Sequence, residues 1–179
     1  VMKRVLSLLF VTALLAPGSI QAQVGGGRME DVETLDGILD AYYEVVSRPA
    51  GTAPDRERDE WIHHSDALVA ITGLGADGNP VIQTMTLAEY HDRFGAADAP
   101  AFFEWEVHRT VQRFGNVAHV WSTYASSGAP DGEVFGRGIN SIQLYNDGSR
   151  WWITSWIFDQ ERAGNEIPAE FLPDEAPGR

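Results

Sequence analysis

Four long segments rich in β-branched and aromatic residues occupy residues 102–161, and they constrain the fold more than any other feature of the chain. Gly115-Asn116 separates the first two segments, and Asp147-Gly148 separates the last two. Such dipeptides between alternating apolar residues are typical of tight β-hairpin turns. The pattern therefore predicts two long hairpins in a curved antiparallel sheet.

The residues before these strands predict three helices and a further hairpin. Apolar residues recur at three- and four-residue spacing over residues 32–46, which indicates one face of an amphipathic helix. Asp55 precedes a second, shorter helix, and residues 67–72 and 81–85 form the predicted hairpin. Thr86, with a glutamate three residues later, opens the third helix through a capping box. Helices on one side of a strongly bent sheet predict an α+β cone.

Several stretches of this sequence resemble one known superfamily. They are the first helix, the segment from Trp61 to Ala67, the TLAE helix start at Thr86, FGNVAHVWSTYAS and RGINSIQLYNDGSRWWI. The chain resembles the nuclear transport factor 2-like superfamily, in particular its exported SnoaL-like and ketosteroid-isomerase-like members. The resemblance implies a cone-shaped, mixed or antiparallel sheet with three helices on its concave side, a cystatin-like roll. It also implies a ligand pocket inside the cone and pairing of two copies through their sheets.

The first residues predict export. Lys3 and Arg4 precede an apolar run, and a Pro-Gly break and the small residue Ala22 follow it. This pattern is typical of a signal peptide at residues 1–22, so a periplasmic or secreted location is expected. The remaining segments are predicted to be a flexible linker, one SnoaL-like domain and a Pro-rich tail, at residues 23–29, 30–167 and 168–179.

Composition excludes several chemistries. The chain has no cysteine, and Lys3 is its only lysine, so a thiol nucleophile, a thiolate metal site and a lysine Schiff base in the mature protein are excluded. The formal net charge of −13 disfavours nucleic acid and anionic membranes as partners. The histidines show no metal-ligand spacing, and no metal or cofactor is predicted.

The turns also predict which side chains share a face of the sheet, because side chains alternate along a strand. A two-residue turn at Gly115-Asn116 sets Arg109 opposite Ser122, and the same geometry at Asp147-Gly148 is applied to the second hairpin. The predicted interior polar residues are Arg109, Ser122, Tyr124, Asn140, Ser155 and Asp159. Trp61 and Trp105 are the predicted aromatic members of the same pocket.

These residues support two functional hypotheses of different classes. The leading one is an exported protein that binds a small apolar molecule in the cone, without an assignable catalytic set. The alternative is an enzyme of proton-transfer chemistry, an isomerase, lyase or hydrolase. Asp159, His63 or His64 would then be the acid or base, and Tyr124 would donate a hydrogen bond to an oxyanion.

Other interpretations stay open at this stage. In one interpretation, Arg109 pairs with Asp159 or another acid in a purely structural salt bridge. In another, Glu106 and His108 form a solvated pair on the outer face. A β-bulge in this strand would instead turn Glu104, Glu106 and His108 inward.

The predicted outer face of the second hairpin is unusually aromatic. It would carry Tyr145, Trp152, Trp156 and Phe158, which favours a homodimer interface. Cover by the tail or a helix is the alternative. A third functional class is an accessory domain that acts only through this outer face.

Overall fold

The computed structural model describes residues 26–173, which form six strands and three α-helices. The helices are α1 (Leu35–Val46), α2 (Arg56–Ile62) and α3 (Leu87–Phe94). The strands are β1 (His63–Leu74), β2 (Pro80–Thr86), β3 (Phe103–Phe114), β4 (Val117–Ser127), β5 (Val134–Asn146) and β6 (Trp151–Gln160). Short 3₁₀ helices lie at Met29–Asp31 and Ala169–Phe171.

The predicted signal peptide and the last six residues of the predicted tail lie outside the described residues. Between Gly26 and Pro173, no helix is long and apolar enough to span a membrane.

Side-chain caps start each helix where the sequence predicts one. Thr34 accepts a hydrogen bond from the Gly37 amide at 2.9 Å, and Asp55 accepts one from the Arg58 amide at 3.2 Å. At α3, Thr86 accepts from the Glu89 amide while the Glu89 carboxylate accepts from the Thr86 amide at 2.8 Å. The capping box is therefore confirmed. These contacts satisfy amides that have no partner within their own helix.

One mixed sheet has the strand order β2-β1-β6-β5-β4-β3, in which only the β1–β6 pair is parallel. All three helices contribute buried residues to a core shared with the sheet, including Leu39 of α1, Ile62 of α2 and Leu87 of α3. The predicted α+β architecture is confirmed.

A β-bulge at Val107 changes the face assignment in the first half of β3. Arg109 pairs with Ser122, as predicted from the two-residue turn at Gly115-Asn116, but Glu106 pairs with Tyr124. Because cross-strand partners share a face, the extra residue turns Glu104 and Glu106 inward. It also turns Trp105 outward, so the predicted inner position of Trp105 is wrong. His108 pairs with Thr123 and stays on the outer face.

A second bulge, at Thr154, has the same effect in β6. Leu144 pairs with Ile153 but Gln143 pairs with Ser155, so every residue after Thr154 changes face. The predicted inner positions of Ser155 and Asp159 are therefore wrong, and Trp156 and Phe158 face the core.

The loop between β5 and β6 is also longer than predicted. Asn146 pairs with Trp151, which leaves four residues in the turn. Asp147 explains the longer loop, because its carboxylate accepts hydrogen bonds from the amides of Ser149 at 2.8 Å and Arg150 at 3.0 Å.

The C-terminal segment covers part of the outer face. The Phe171 ring lies 5.9 Å from the Trp121 ring, and the Phe171 carbonyl accepts a hydrogen bond from Thr123 at 2.6 Å. Tyr145 and Ile157 remain exposed. With two of the four predicted aromatics turned inward, this face is much less aromatic than the sequence pattern indicates.

Candidate functional site

A cavity of about 320 Å³ lies inside the cone, between α1, α3 and the inner face of β3 to β6. We call it the cone cavity. Its wall is mainly aromatic, and its polar groups come from Glu104, Tyr124, Ser126, Asn140 and Gln160. The aromatic lining residues are Tyr42, Tyr90, Phe102, Tyr124, Phe135, Trp156 and Phe158. A mostly apolar cavity with a few polar groups is the usual form of a small-molecule site.

Glu104 is the acidic group in this wall. The hydroxyl of Ser126 donates a hydrogen bond to its carboxylate at 3.0 Å, and no Arg, Lys or His of the described chain lies within salt-bridge distance of it. Burial among apolar side chains raises the pKa of Glu104 from 4.5 to about 7, and the Ser126 hydrogen bond opposes this rise only partly. Near neutral pH this group can therefore both accept and donate a proton.

Ser47 holds the backbone of Glu104 in place. β3 is an edge strand, and the Ser47 hydroxyl, just after α1, accepts a hydrogen bond from the Glu104 amide at 3.0 Å. The same hydroxyl donates to the Tyr43 carbonyl at 2.8 Å. The end of α1 thus replaces the missing neighbouring strand at the bulged part of β3.

Glu106 belongs to a different, fully connected polar network. Its carboxylate accepts hydrogen bonds from Ser122 and from Arg109, the latter at 2.5 Å. Ser122 and Tyr43 share a hydrogen bond of 2.6 Å, and Asn140 donates to the Tyr43 hydroxyl at 3.3 Å. Burial raises the pKa of Glu106, but Ser122 and Arg109 both lower it. Glu106 is thus a paired structural group, whereas Glu104 is not.

Arg109 lies at the rim of this network. Besides Glu106, it contacts Asp36 at 2.8 Å. Of the two partners that the sequence interpretation leaves open, Asp159 or another acid, the structure shows other acids, Glu106 and Asp36.

Tyr124 is fixed against the sheet by a glycine. It pairs with Gly138 of β5, and a Cβ atom at Gly138 would lie 2.5 Å from the Tyr124 hydroxyl oxygen and 2.4 Å from the Asp159 carbonyl oxygen. Only glycine leaves room for the ring here. Burial raises the pKa of Tyr124, so the phenol is neutral and able to donate a hydrogen bond.

A second cavity, of about 390 Å³, adjoins the cone cavity. Both are lined by Val46, Tyr90, Phe102 and Phe158, so these four side chains lie between the two spaces. The second cavity, unlike the cone cavity, has arginines in its wall. Its charged and titratable groups belong to Arg48, Asp59, His91 and Arg93.

Asp59 is held by two buried histidines. His91 Nε2 lies 2.6 Å from one carboxylate oxygen and His63 Nδ1 lies 3.1 Å from the other. Burial alone would raise the pKa of Asp59, but the charge and hydrogen bonds of His63 and His91 lower it well below its usual range. The carboxylate stays ionised inside the core, where it joins α2, β1 and α3.

The predicted site residues separate into two groups. Tyr124 and Asn140 line the cone cavity, and Ser122 lies behind it in the Glu106 network. The others do not line it. The residues outside this cavity are Trp61, His63, His64, Trp105, Arg109, Ser155 and Asp159.

Local contacts explain why most of these residues lie outside the cone cavity. Trp61 lies under the Arg150 guanidinium at 4.2 Å, and Asp159 pairs with Arg162 at 2.6 Å on the outer face. His64 is half-buried beside Trp152, 6.1 Å between ring centres. His63 is only 2% exposed and is bound to Asp59.

Glu104 is not among the site residues predicted from the sequence. In a regular strand Glu104, Glu106 and His108 share one face, and only a bulge between Glu106 and His108 places the two glutamates on the face opposite the histidine. Nothing in the sequence of β3 marks the position of that bulge. Phe102, two residues before Glu104, is the one available signal. Residues two apart in a strand share a face, so an apolar residue at this position favours an inner position for Glu104. Among residues 26–173, no group of three or more acidic, His or Cys side chains has the arrangement of a metal site.

Comparisons with known proteins give fold-level likeness. No family model and no curated protein matches the chain. A candidate aromatic ring hydroxylase from Novosphingobium aromaticivorans superposes with a TM-score of 0.52 at 17% identity, covering 72% of this chain and 87% of that chain.

Two further solved structures agree. A protein of unknown function with a cystatin-like fold from Nostoc punctiforme has a TM-score of 0.51 at 17% identity, covering 70% of this chain and 88% of that chain. A candidate Ca/calmodulin-dependent kinase II association domain from Exiguobacterium sibiricum has a TM-score of 0.50 at 15% identity, covering 72% and 91% respectively. Together with the architecture described above, these likenesses show that this chain has a cystatin-like α+β fold.

Proposed function

We propose that the protein binds a small, largely apolar molecule in the cone cavity, with a polar group of that molecule directed at Glu104. The observation that carries the proposal is the Glu104 carboxyl itself, buried in an aromatic wall without a cationic partner in the described chain. An unpaired buried acid costs stability, so its retention in a cavity wall favours a role toward a ligand.

The cavity's dimensions support the same proposal. About 320 Å³ is at the small end of the range for ligand pockets, so the occupant has roughly one to three rings. Tyr124 and Asn140 supply hydrogen bonds on the wall opposite α1. The apolar wall supplies most of the binding free energy, because burial of apolar surface contributes about 25 cal/mol per Å².

A second candidate function is proton-transfer catalysis, which the raised pKa of Glu104 favours specifically. A general base works best when its pKa lies near the working pH. Ionised Glu104 would take a proton from the carbon next to a carbonyl group. Tyr124 would donate a hydrogen bond to the resulting enolate oxygen, and protonated Glu104 would return the proton to carbon.

Binding is tested with a cavity-filling variant. A Cβ atom at Gly136, which lines the cone cavity, would meet no atom within 4 Å, so the side chain of Gly136→Leu has room to enter the cavity. We expect wild-type protein to bind N-phenyl-1-naphthylamine, an uncharged fluorescent probe, and Gly136→Leu to bind it at least about tenfold more weakly.

Gly73→Leu is the matched control, since Gly73 also has no atom within 4 Å of a Cβ atom but lies in β1 away from both cavities. Equal probe affinity for Gly136→Leu and Gly73→Leu would remove the cone cavity as the binding site.

Catalysis is tested with a generic carbon acid. We expect the protein to accelerate exchange of the α-hydrogens of 2-tetralone for deuterium, measured by NMR, with a rate that rises as pH passes about 7. Glu104→Gln abolishes this acceleration. If the variant retains it, Glu104 is not the base, and binding alone remains as the proposed function.

Export and pairing of two copies stay predictions. Pairing through the outer face would now rest on Tyr145, Trp152 and Ile157, together with the segment around Phe171. Native mass spectrometry of the protein distinguishes a monomer from a dimer directly.

A further inference from the structure

Arg48 is one of four arginines between Gly26 and Pro173 that form no salt bridge, and the other three have clear alternative partners. These are Gln83 for Arg93, Trp151 for Arg113 and Trp61 for Arg150. The remaining six form salt bridges with aspartate or glutamate, namely Arg28, Arg56, Arg58, Arg109, Arg137 and Arg162. Arg48 forms none between Gly26 and Pro173, and its guanidinium donates one long hydrogen bond, to the Val46 carbonyl at 3.3 Å. Its Nε atom is buried without any partner. In a chain with 26 acidic residues, an unpaired and partly buried guanidinium needs an explanation.

The second cavity is where this guanidinium is available. Arg48, Arg93 and His91 line it, and its remaining wall is largely apolar. The one acid in the lining, Asp59, is already held by two histidines. His91 Nδ1 is also buried without a hydrogen-bond partner, and a Glu60 carboxylate oxygen lies 3.7 Å from it. The Arg48 guanidinium is therefore a donor in this wall without an acidic partner among residues 26–173.

The chemistry of this wall favours a carboxylate over a more highly charged anion. A planar guanidinium matches the two oxygens of a carboxylate. Asp59, nearby and ionised, opposes a dianion, and the apolar wall cannot solvate a phosphate. The second cavity also adjoins the cone cavity through Tyr90, Phe102 and Phe158. An apolar body attached to the carboxylate therefore has an aromatic path toward Glu104.

We propose that Arg48 binds the carboxylate of a small organic acid whose apolar body extends past Tyr90, Phe102 and Phe158 into the cone cavity. This inference rests on the proposed function, because it names the class of ligand that the cone cavity holds. It assigns a ligand-binding role to Arg48, and it places the reactive or recognised end of the ligand at Glu104, away from its carboxylate.

The test compares ligands that differ only in charge. Binding of 4-phenylbutanoate and of 4-phenylbutanamide is measured by isothermal titration calorimetry at about pH 7.5. We expect wild-type protein to bind the carboxylate about tenfold more tightly than the amide, the ratio that a charge-assisted hydrogen bond supplies. Arg48→Gln should reduce that ratio to about one. Arg48→Lys should retain part of the ratio, because lysine keeps the positive charge but not the planar pair of N–H donors.

Arg113→Gln is the matched control, since Arg113 stacks on Trp151 at 4.9 Å and lines neither cavity. Retained binding of N-phenyl-1-naphthylamine by Arg48→Gln establishes that this variant is folded with its cone cavity intact.

Failure of this inference differs from failure of the proposed function. If carboxylate and amide bind equally, or if neither binds while N-phenyl-1-naphthylamine does, the acid ligand is refuted and the cone cavity remains a binding site. If the fluorescent probe does not bind either, both proposals are refuted. A tenfold preference that survives in Arg48→Gln refutes the role of Arg48.

Discussion

Replacing Glu104 with glutamine tests the central feature of the site through stability alone. Glutamine has nearly the same shape, and its carbonyl oxygen can still accept the hydrogen bond from Ser126. It cannot ionise. The difference in unfolding free energy between variant and wild type therefore isolates the cost of keeping an ionised carboxylate in the cavity wall.

The structure gives the size and sign of this difference. The pKa of Glu104 is about 7 in the folded chain and 4.5 ordinarily, so the folded chain binds this proton more tightly than the unfolded chain. Stability from this group is complete below about pH 4.5, falls as pH rises to about 7, and is constant above it. At about 1.4 kcal/mol per pH unit, the loss between pH 5 and pH 8 is roughly 2–3 kcal/mol.

Urea unfolding at these two pH values measures the effect. We expect Glu104→Gln to gain roughly 2–3 kcal/mol relative to wild type when the pH is raised from 5 to 8. Glu133→Gln, the same chemical change at an exposed position, is the control and should show no comparable gain. A difference between Glu104→Gln and wild type that stays constant over this range would mean that Glu104 is not desolvated, and the reasoning for a base near neutrality would fail.

Three further variants have defined outcomes. Ser126→Ala removes the side-chain hydrogen bond that lowers the pKa of Glu104, so the inflection in the carboxyl ¹³C chemical shift of Glu104 should move to higher pH; an unchanged inflection contradicts the Ser126 contact. Gly138→Ala places a methyl group against the Tyr124 ring and should cost about 1–3 kcal/mol in urea unfolding, whereas an unchanged midpoint would show that the ring is free to move. Asp59→Asn leaves two buried histidines without their carboxylate and should cost about 3–5 kcal/mol at neutral pH; because the pKa of Asp59 is lowered in the folded chain, this cost should shrink as the pH falls below about 4, and a pH-independent cost would contradict the assigned charge.

Periodicity and turn signals were sufficient to predict the three helices, the starts of α2 and α3 at Asp55 and Thr86, and the first hairpin turn. These features depend on local interactions, such as the Thr86–Glu89 capping box, that are written in neighbouring residues. The fold class follows from their order. The resemblance to the superfamily pointed the same way.

Face assignments failed beyond the bulges, because a β-bulge depends on how a strand meets its partners. Regular alternation assigns Asp159 to the interior and Glu104 to the exterior, and both assignments are reversed. The contact of Ser47 with the backbone of Glu104, 57 positions away, supports the distorted part of β3, and no local pattern contains it. The site residues that were predicted correctly as lining the cone cavity, Tyr124 and Asn140, lie on β4 and β5, in stretches whose pairing with each other is regular.

The two bulges also determine which side chains face the cone cavity without altering the order of the strands in the sheet. Removing Val107 would give β3 regular pairing in which Glu106 still lies opposite Tyr124, so Glu104 and Glu106 would keep facing inward. Removing Thr154 would likewise leave Trp156 and Phe158 on the inner face. Pairing the same strands at full length without the bulges is what would exchange the two faces, so the position of a bulge is as informative as residue identity when the pockets of such proteins are compared.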